Sequence, residues 1–158
     1  MAMFLDPTID FAFKRVFGNQ AYPEITMSFV NSLIKSIWDV PVTTVEFLDP
    51  VNQKETTELK YSVVDLRCTD QLKRQFIIEI QVKKQDCFSN RIQYYGAQAI
   101  ARQLKVKQSF KAIMPVILIS ILDFDLLPHA EYINNYRLQH DVHHTRELDL
   151  VSYIFTSC

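Results

Sequence analysis

The chain has 158 residues, enough for one domain with a real core. It is 48% hydrophobic and 22% charged, with 2 glycines and 6 prolines; that excludes a disordered tail, a collagen-like repeat and a glycine-rich linker. The formal net charge of −1 excludes a protein that wraps nucleic acid through overall basicity.

Residues 6–7, Asp-Pro, read as a helix start, with an Asx cap and proline at the first helical position. Residues 10–17 continue as helix, with Phe13, Val16 and Phe17 on one face and Gly18 as the stop. Tyr22-Pro23 opens a second helix, with Ile25, Phe29, Leu33, Ile37 and Trp38 at helical spacing up to Val40-Pro41. Residues 42–48 are a short strand candidate and 51–58 a polar loop. Residues 59–69 and 73–82 are strand-like, rich in β-branched side chains, with a turn at 69–72. Ser89 and Asn90 are expected to cap a long helix over 91–106. Residues 114–122 form a nearly continuous apolar run, the pattern of a strand buried on both faces. Residues 132–138 and 148–155 are further strand candidates. The order predicts an α/β domain with a central hairpin, and no repeat or linker divides residues 1–158.

Three cysteines, Cys68, Cys87 and Cys158, are an odd count without CxxC spacing, so reduced thiols and a cytoplasmic location are expected. No signal peptide is read at the start. The longest apolar run, 112–122, is too short to span a bilayer and contains Pro115, so no membrane association is expected.

Charge is unevenly placed. Residues 83–111 carry seven basic side chains (Lys83, Lys84, Arg91, Arg102, Lys105, Lys107, Lys111) against Asp86, and the flanking segments are acidic overall. Such a block is either a phosphate-binding surface or a solvated helix face.

Strand side chains alternate with period two. Glu79 and Gln81 therefore share a face with Ile77, opposite Phe76, Ile78 and Ile80. On the preceding strand Asp65 and Arg67 lie opposite Leu66 and Cys68. A tight hairpin centred near residue 72 sets Asp65 across from Glu79 and Val63 across from Gln81. A one-residue slip would undo this. Two facing carboxylates repel, at roughly 0.2–1 kcal/mol when exposed and more when desolvated. Either a divalent cation such as Mg²⁺ compensates them, or Arg67 neutralises Glu79 diagonally.

The blocks DPTIDFAFKRVFG at 6–18, VVDLRCTD at 63–70, FIIEIQV at 76–82, RIQYYGAQAIARQL at 91–104 and MPVILISILDF at 114–124 together resemble the Rpn-like recombination-promoting nuclease/putative transposase family of the PD-(D/E)XK nuclease superfamily. The resemblance covers nearly the whole chain. It implies a restriction-endonuclease-like core, a mixed central sheet with a catalytic hairpin flanked by helices. It implies a metal-dependent DNA endonuclease linked to recombination or mobile elements, with Mg²⁺ or Mn²⁺ as cofactor and DNA as partner; a homodimer is compatible with it. Asp65 and Glu79 take the metal-binding acidic positions, with the Ile80 carbonyl as an added ligand. Gln81 stands where the wider superfamily has lysine and cannot supply a positive charge. Lys83 and Lys14 are candidates for a migrated lysine. Asp10 matches an accessory acidic position, or pairs with Lys14 as a surface ion pair. Arg91, Tyr95, Arg102 and Lys105 are the DNA-binding candidates. Tyr94 and Tyr95 either stack on bases or pack into the core, with core packing expected for one of them.

Two departures stand out. Where the family usually has glycine before an aromatic after this helix, this chain has Lys107 and Phe110. Family members also commonly continue past residue 158, so a C-terminally truncated copy is expected. That leaves a second reading open, an inactive remnant acting as a DNA-binding or protein-interaction module. The run HDVHH at 140–144 approximates a zinc-protease HExxH, but Asp is short for the base and no third ligand is evident; an exposed polar loop is expected there. A P-loop or dinucleotide fingerprint is excluded by having only Gly18 and Gly96.

Overall fold

A computed structural model describes residues 10–35, 37–48, 66–81, 84–124, 126 and 131–157, without the side chains of Asp10, Phe11 and Lys14. Helices α1 (Asp10–Phe17) and α2 (Pro23–Ile34) precede strands β1 (Val45–Phe47), β2 (Leu66–Asp70) and β3 (Gln75–Gln81). Helix α3 (Phe88–Ala101) and a short 3₁₀ turn at Phe110–Ala112 lead to β4 (Val116–Leu122), β5 (Ile133–Arg137) and β6 (Val151–Ser157). The six strands form one mixed sheet in the order β1-β2-β3-β4-β6-β5. β1, β2 and β3 are antiparallel neighbours; β3, β4 and β6 run parallel; β5 is antiparallel to β6 at the edge. A parallel β3–β4 pair needs a crossover connection, and α3 supplies it.

Alternation in the strands divides two cores. Leu66, Cys68, Phe76, Ile78, Ile117, Ile119 and Ile154 face α1 and α2, where Phe13, Val30, Leu33 and Ile34 meet them. Ile77, Val116, Leu118, Leu122 and Phe155 face the other way, against Phe88, Ile92 and Ala99 of α3. β4 is buried on both faces as its unbroken apolar pattern predicts. Gly96 lets α3 lie close. A Cβ there would sit 3.1 Å from Leu118 Cδ1, 3.1 Å from the Tyr153 hydroxyl and 3.3 Å from Val151 Cγ1.

The central hairpin has the expected register: Leu66 pairs with Ile78, Arg67 with Ile77 and Cys68 with Phe76. Asp70 fixes it at the turn. Its Oδ1 accepts the Leu72 and Arg74 backbone N–H groups, each at 2.9 Å. Its Oδ2 accepts Arg74 Nε at 2.6 Å, with both side chains buried. The Arg74 guanidinium also donates to the Val40 carbonyl and lies 5.4 Å from the Trp38 ring centroid. The turn thereby docks on the end of the α2 segment.

Several boundaries differ from expectation. Lys73 lies in the turn, not the strand, with φ 60°. Helix α2 stops at Ile34 and buries Thr26, Val30, Leu33 and Ile34. Phe29 packs against the core as its spacing predicts, whereas Ile25 is exposed and Thr26 is buried, its hydroxyl donating to the Phe17 carbonyl at the α1 terminus. Ile37 and Trp38 fall beyond the helix and still pack against the core. Helix α3 starts at Phe88 with Cys87 as N-cap, so Ser89 and Asn90 lie inside it. It ends at Ala101, five residues short of the expected 106. Past that end, Gln103 clamps Met114 through both backbone groups, at 2.7 and 2.9 Å, and turns the chain toward β4. Lys107, where the resemblance implies glycine, adopts φ 72°, the left-handed region where a side chain costs energy and glycine does not.

Two stability changes are expected. Asp70→Ala leaves Arg74 as an uncompensated buried charge and should cost about 3–5 kcal/mol in urea unfolding. Lys107→Gly should stabilise the fold by about 0.5–1 kcal/mol in the same measurement, by relieving the left-handed backbone.

Candidate active site

The C-terminal half of β3 carries the acidic residue singled out in the sequence. Glu79 and Gln81 project to the α3 side of the sheet, because they alternate with Ile78 and Ile80. Glu79 is buried, 5% exposed. Its Cα partner on β4 is Ser120, whose Oγ donates to Glu79 Oε1 at 3.4 Å. Ser120 breaks the apolar run VILISIL at the one position opposite the carboxylate. Sequence reading gave it no role; a lone buried hydroxyl in a strand otherwise made of Val, Ile and Leu was the signal.

Arg91, in the first turn of α3, closes the cluster. Its Nη2 donates to Gln81 Oε1 and stands 3.9 Å from Glu79 Oε1, and its Nη1 donates to Gln85 Oε1. Its guanidinium carbon lies 5.4 Å from the Phe88 ring centroid. Sequence reading placed Arg91 among the DNA-binding candidates, at the start of this helix. It is half-buried and brings positive charge beside Glu79 and Gln81, a charge for which Lys83 and Lys14 were the sequence candidates. Among the described residues Glu79 is in ion-pair reach of Arg91 and not of Arg67.

Tyr95, one helical turn after Arg91, is half-buried and packs against the α3-side core. Burial pushes its phenol above the ordinary tyrosine range; the Arg91 charge opposes that and Glu79 adds to it. Tyr94 is exposed and accepts a hydrogen bond from Gln98 at 2.7 Å. One of the two tyrosines thus packs and the other faces solvent. Arg102 caps the C-terminus of α3 and is exposed. Lys105 is exposed in the following loop, not on the helix as expected, because α3 has ended. Asp65 and Lys83 lie outside the described residues, as does the side chain of Asp10; only the backbone of Asp10 is described, opening α1.

The oxygen donors present suit a hard dication: the Glu79 carboxylate and the Ile80 main-chain carbonyl. Among the described residues, no three His, Cys, Asp or Glu side chains group closely enough to hold a metal. The HDVHH segment forms an exposed turn. His140 Nδ1 accepts the backbone N–H groups of Val142 and His143, each at 3.1 Å, which removes the helical register a zinc protease needs.

A family model described as PD-(D/E)XK nuclease family transposase matches residues 7–157. The chain belongs to this family. The mixed six-stranded sheet flanked by helices is consistent with the restriction-endonuclease-like fold of PD-(D/E)XK nucleases. No curated protein and no solved structure matches the chain. Among the described residues no helix is long and apolar enough to cross a membrane.

On the opposite sheet face, beneath the hairpin, Cys68 is fully buried, and burial together with the Asp70 charge pushes its thiol up to about 12 from 9.0. The folded chain therefore keeps a proton that the unfolded chain releases between those values. Stability should fall as pH rises from 9.0 toward about 12. Cys68→Ala should flatten that part of the urea-midpoint profile, and Cys68 should be the last thiol alkylated in native protein.

Proposed function

We propose that the chain is a metal-dependent DNA endonuclease acting in recombination or mobile-element movement. The observation that carries this reading is the buried Glu79 carboxylate, set beside Ser120, Gln81 and the Arg91 guanidinium on the catalytic hairpin of a PD-(D/E)XK family member. A carboxylate removed from water, with a serine hydroxyl on Oε1 and a guanidinium at 3.9 Å, is a hard oxygen ligand of the kind a dication takes.

In this reading Glu79, Asp65 and the Ile80 carbonyl hold Mg²⁺ or Mn²⁺. When bound, the metal polarises the phosphoryl group and lowers the pKa of the attacking water. Ser120 orients the Glu79 carboxylate. Arg91 holds Gln81 and presents a permanent positive charge to the developing negative charge on the phosphoryl oxygens, which Gln81 cannot supply. Arginine does not shuttle protons at neutral pH, so the attacking water must lose its proton to a carboxylate or to solvent. Asp10 and Lys83 remain accessory candidates. Tyr95, Arg102 and Lys105 contact DNA, and the protein works in the cytoplasm on chromosomal or element DNA. Whether two copies associate bears on single- against double-strand cutting.

Plasmid cleavage with Mg²⁺ or Mn²⁺, with and without EDTA, tests the reading. Wild type should nick or linearise the plasmid only with metal. Asp65→Ala and Glu79→Gln should each lower the rate by at least about 100-fold while circular dichroism is unchanged, the scale expected when electrostatic stabilisation of a transition state is lost. Wild-type protein that leaves supercoiled, linear and single-stranded DNA intact with either metal would instead favour an inactive DNA-binding or interaction module.

A further inference from the structure

The two most exposed large apolar side chains among the described residues sit on one loop: Val106 is 90% exposed and Phe110 82% exposed. The loop leaves the C-terminus of α3 and reaches β4 through the 3₁₀ turn at Phe110–Ala112. Single apolar residues on a surface are ordinary, but this loop is built to hold its pair out. Gln108 Oε1 accepts the Lys105 backbone N–H at 2.6 Å, and the Gln108 N–H donates to the Lys105 carbonyl at 3.1 Å. Ser109 accepts the Lys111 N–H on its hydroxyl at 3.2 Å and the Ala112 N–H on its carbonyl at 3.0 Å, which fixes the turn that carries Phe110. The clamp between Gln103 and Met114 closes the base. A loop ordered in advance loses little freedom when it docks.

Charge points to what it docks on. Arg102, Lys105, Lys107 and Lys111 are exposed on the same loop, and no Asp or Glu occurs between Asp86 and Asp123. Among the described residues none of these four cations forms an ion pair. Lys107 keeps its charge there on a left-handed backbone. A partner for four cations and two bare apolar groups must offer closely spaced anions with an apolar surface between them. Duplex DNA does so: phosphates line both edges of the minor groove, and its base-pair steps open to an apolar side chain flanked by basic ones. The loop follows the end of α3 opposite Arg91, so a duplex held both there and at Glu79 spans the length of the helix.

We propose that this loop is a DNA-bending wedge, in which Phe110 enters the minor groove between base pairs and Lys105, Lys107 and Lys111 hold the flanking phosphates. Val106 supplies a second apolar contact. The inference rests on the nuclease reading for the identity of the partner and adds to it a contact that deforms the substrate.

The test uses the full chain in EDTA, so that no cleavage is involved, and a short DNA duplex with a fluorescent donor and acceptor at its two ends. Anisotropy reads affinity across a salt series, and energy transfer reads the bend. Wild type should raise energy transfer. Phe110→Ala should weaken binding about tenfold and abolish that rise, with the slope of log affinity against log salt unchanged. Lys105→Gln and Lys111→Gln should each lower the slope by about one. All three side chains are exposed, so the variants should keep the wild-type circular dichroism and thermal midpoint. A Phe110→Ala variant that binds and bends the duplex as wild type does would overturn the wedge. Loss in that variant only of co-sedimentation with phosphatidylserine–phosphatidylcholine vesicles, or only of self-association in sedimentation velocity, would overturn it too, assigning the loop to a membrane or to a second copy of the chain. Wild type that bends duplex through Phe110 yet never cuts with Mg²⁺ or Mn²⁺ would retain the wedge and remove the nuclease reading. Wild type that cuts while Phe110→Ala bends normally would do the reverse.

Discussion

The facing of Glu79 and Gln81 depends on the register of one hairpin, and that register is held by the buried contact between Asp70 and Arg74. Strand side chains alternate strictly, so a slip of one residue between β2 and β3 would turn Glu79 into the apolar layer under α1 and α2. Asp70 prevents this at the turn by accepting two backbone N–H groups and the Arg74 guanidinium together. Arg74 in turn reaches the Val40 carbonyl and the Trp38 ring, so the same contact locates the hairpin against the helical layer. A buried ion pair is seldom a large net source of stability. Its value here is that it specifies one pairing among several that the apolar pattern alone would tolerate.

The two sheet faces divide the labour. Toward α1 and α2, the residues of β2, β3 and β4 are almost wholly apolar. Toward α3, Ile77 gives way to Glu79 and Gln81 along β3, and Leu118 gives way to Ser120 along β4. Polar groups therefore collect where the α3 face meets the N-terminal turn of that helix, and Arg91 comes from that turn. Burial is tolerable for Glu79 because a hydroxyl and a guanidinium partly replace water. The close packing at Gly96 brings the helix near enough for this to happen.

Much of this was legible in the sequence, for identifiable reasons. The hairpin register followed from period-two alternation on both strands. The burial of β4 on both faces followed from its unbroken apolar run, and α1 from Phe13, Phe17 and its stop at Gly18, although Val16, expected on the same face, is exposed. What was not legible depended on contacts between distant residues. Helix α3 ends early because Gln103 finds Met114 eleven positions away, and no local propensity announces that. On α2, Thr26 is buried where Ile25 is exposed, because its hydroxyl reaches the Phe17 carbonyl, which an apolar-only count cannot see. The contact of Arg91 with Gln81 and its approach to Glu79 were not legible, because helical spacing does not say whether the first turn of a helix overhangs a strand end. Lys107 was noticed as a departure from a glycine position, and its positive φ gives that departure a physical meaning.

On the proposed nuclease reading, helix α3 would also act as a ruler. Arg91 and Arg102 stand at its two ends, and at a rise of 1.5 Å per residue they are about 16 Å apart along the axis. A duplex lying along the helix advances about 3.4 Å per base pair, so this spacing corresponds to a footprint of about five base pairs. Fragments shorter than half a helical turn of DNA would touch one end or the other but not both. The length of one helix, and not any base-reading group, would then set the smallest substrate the surface can span.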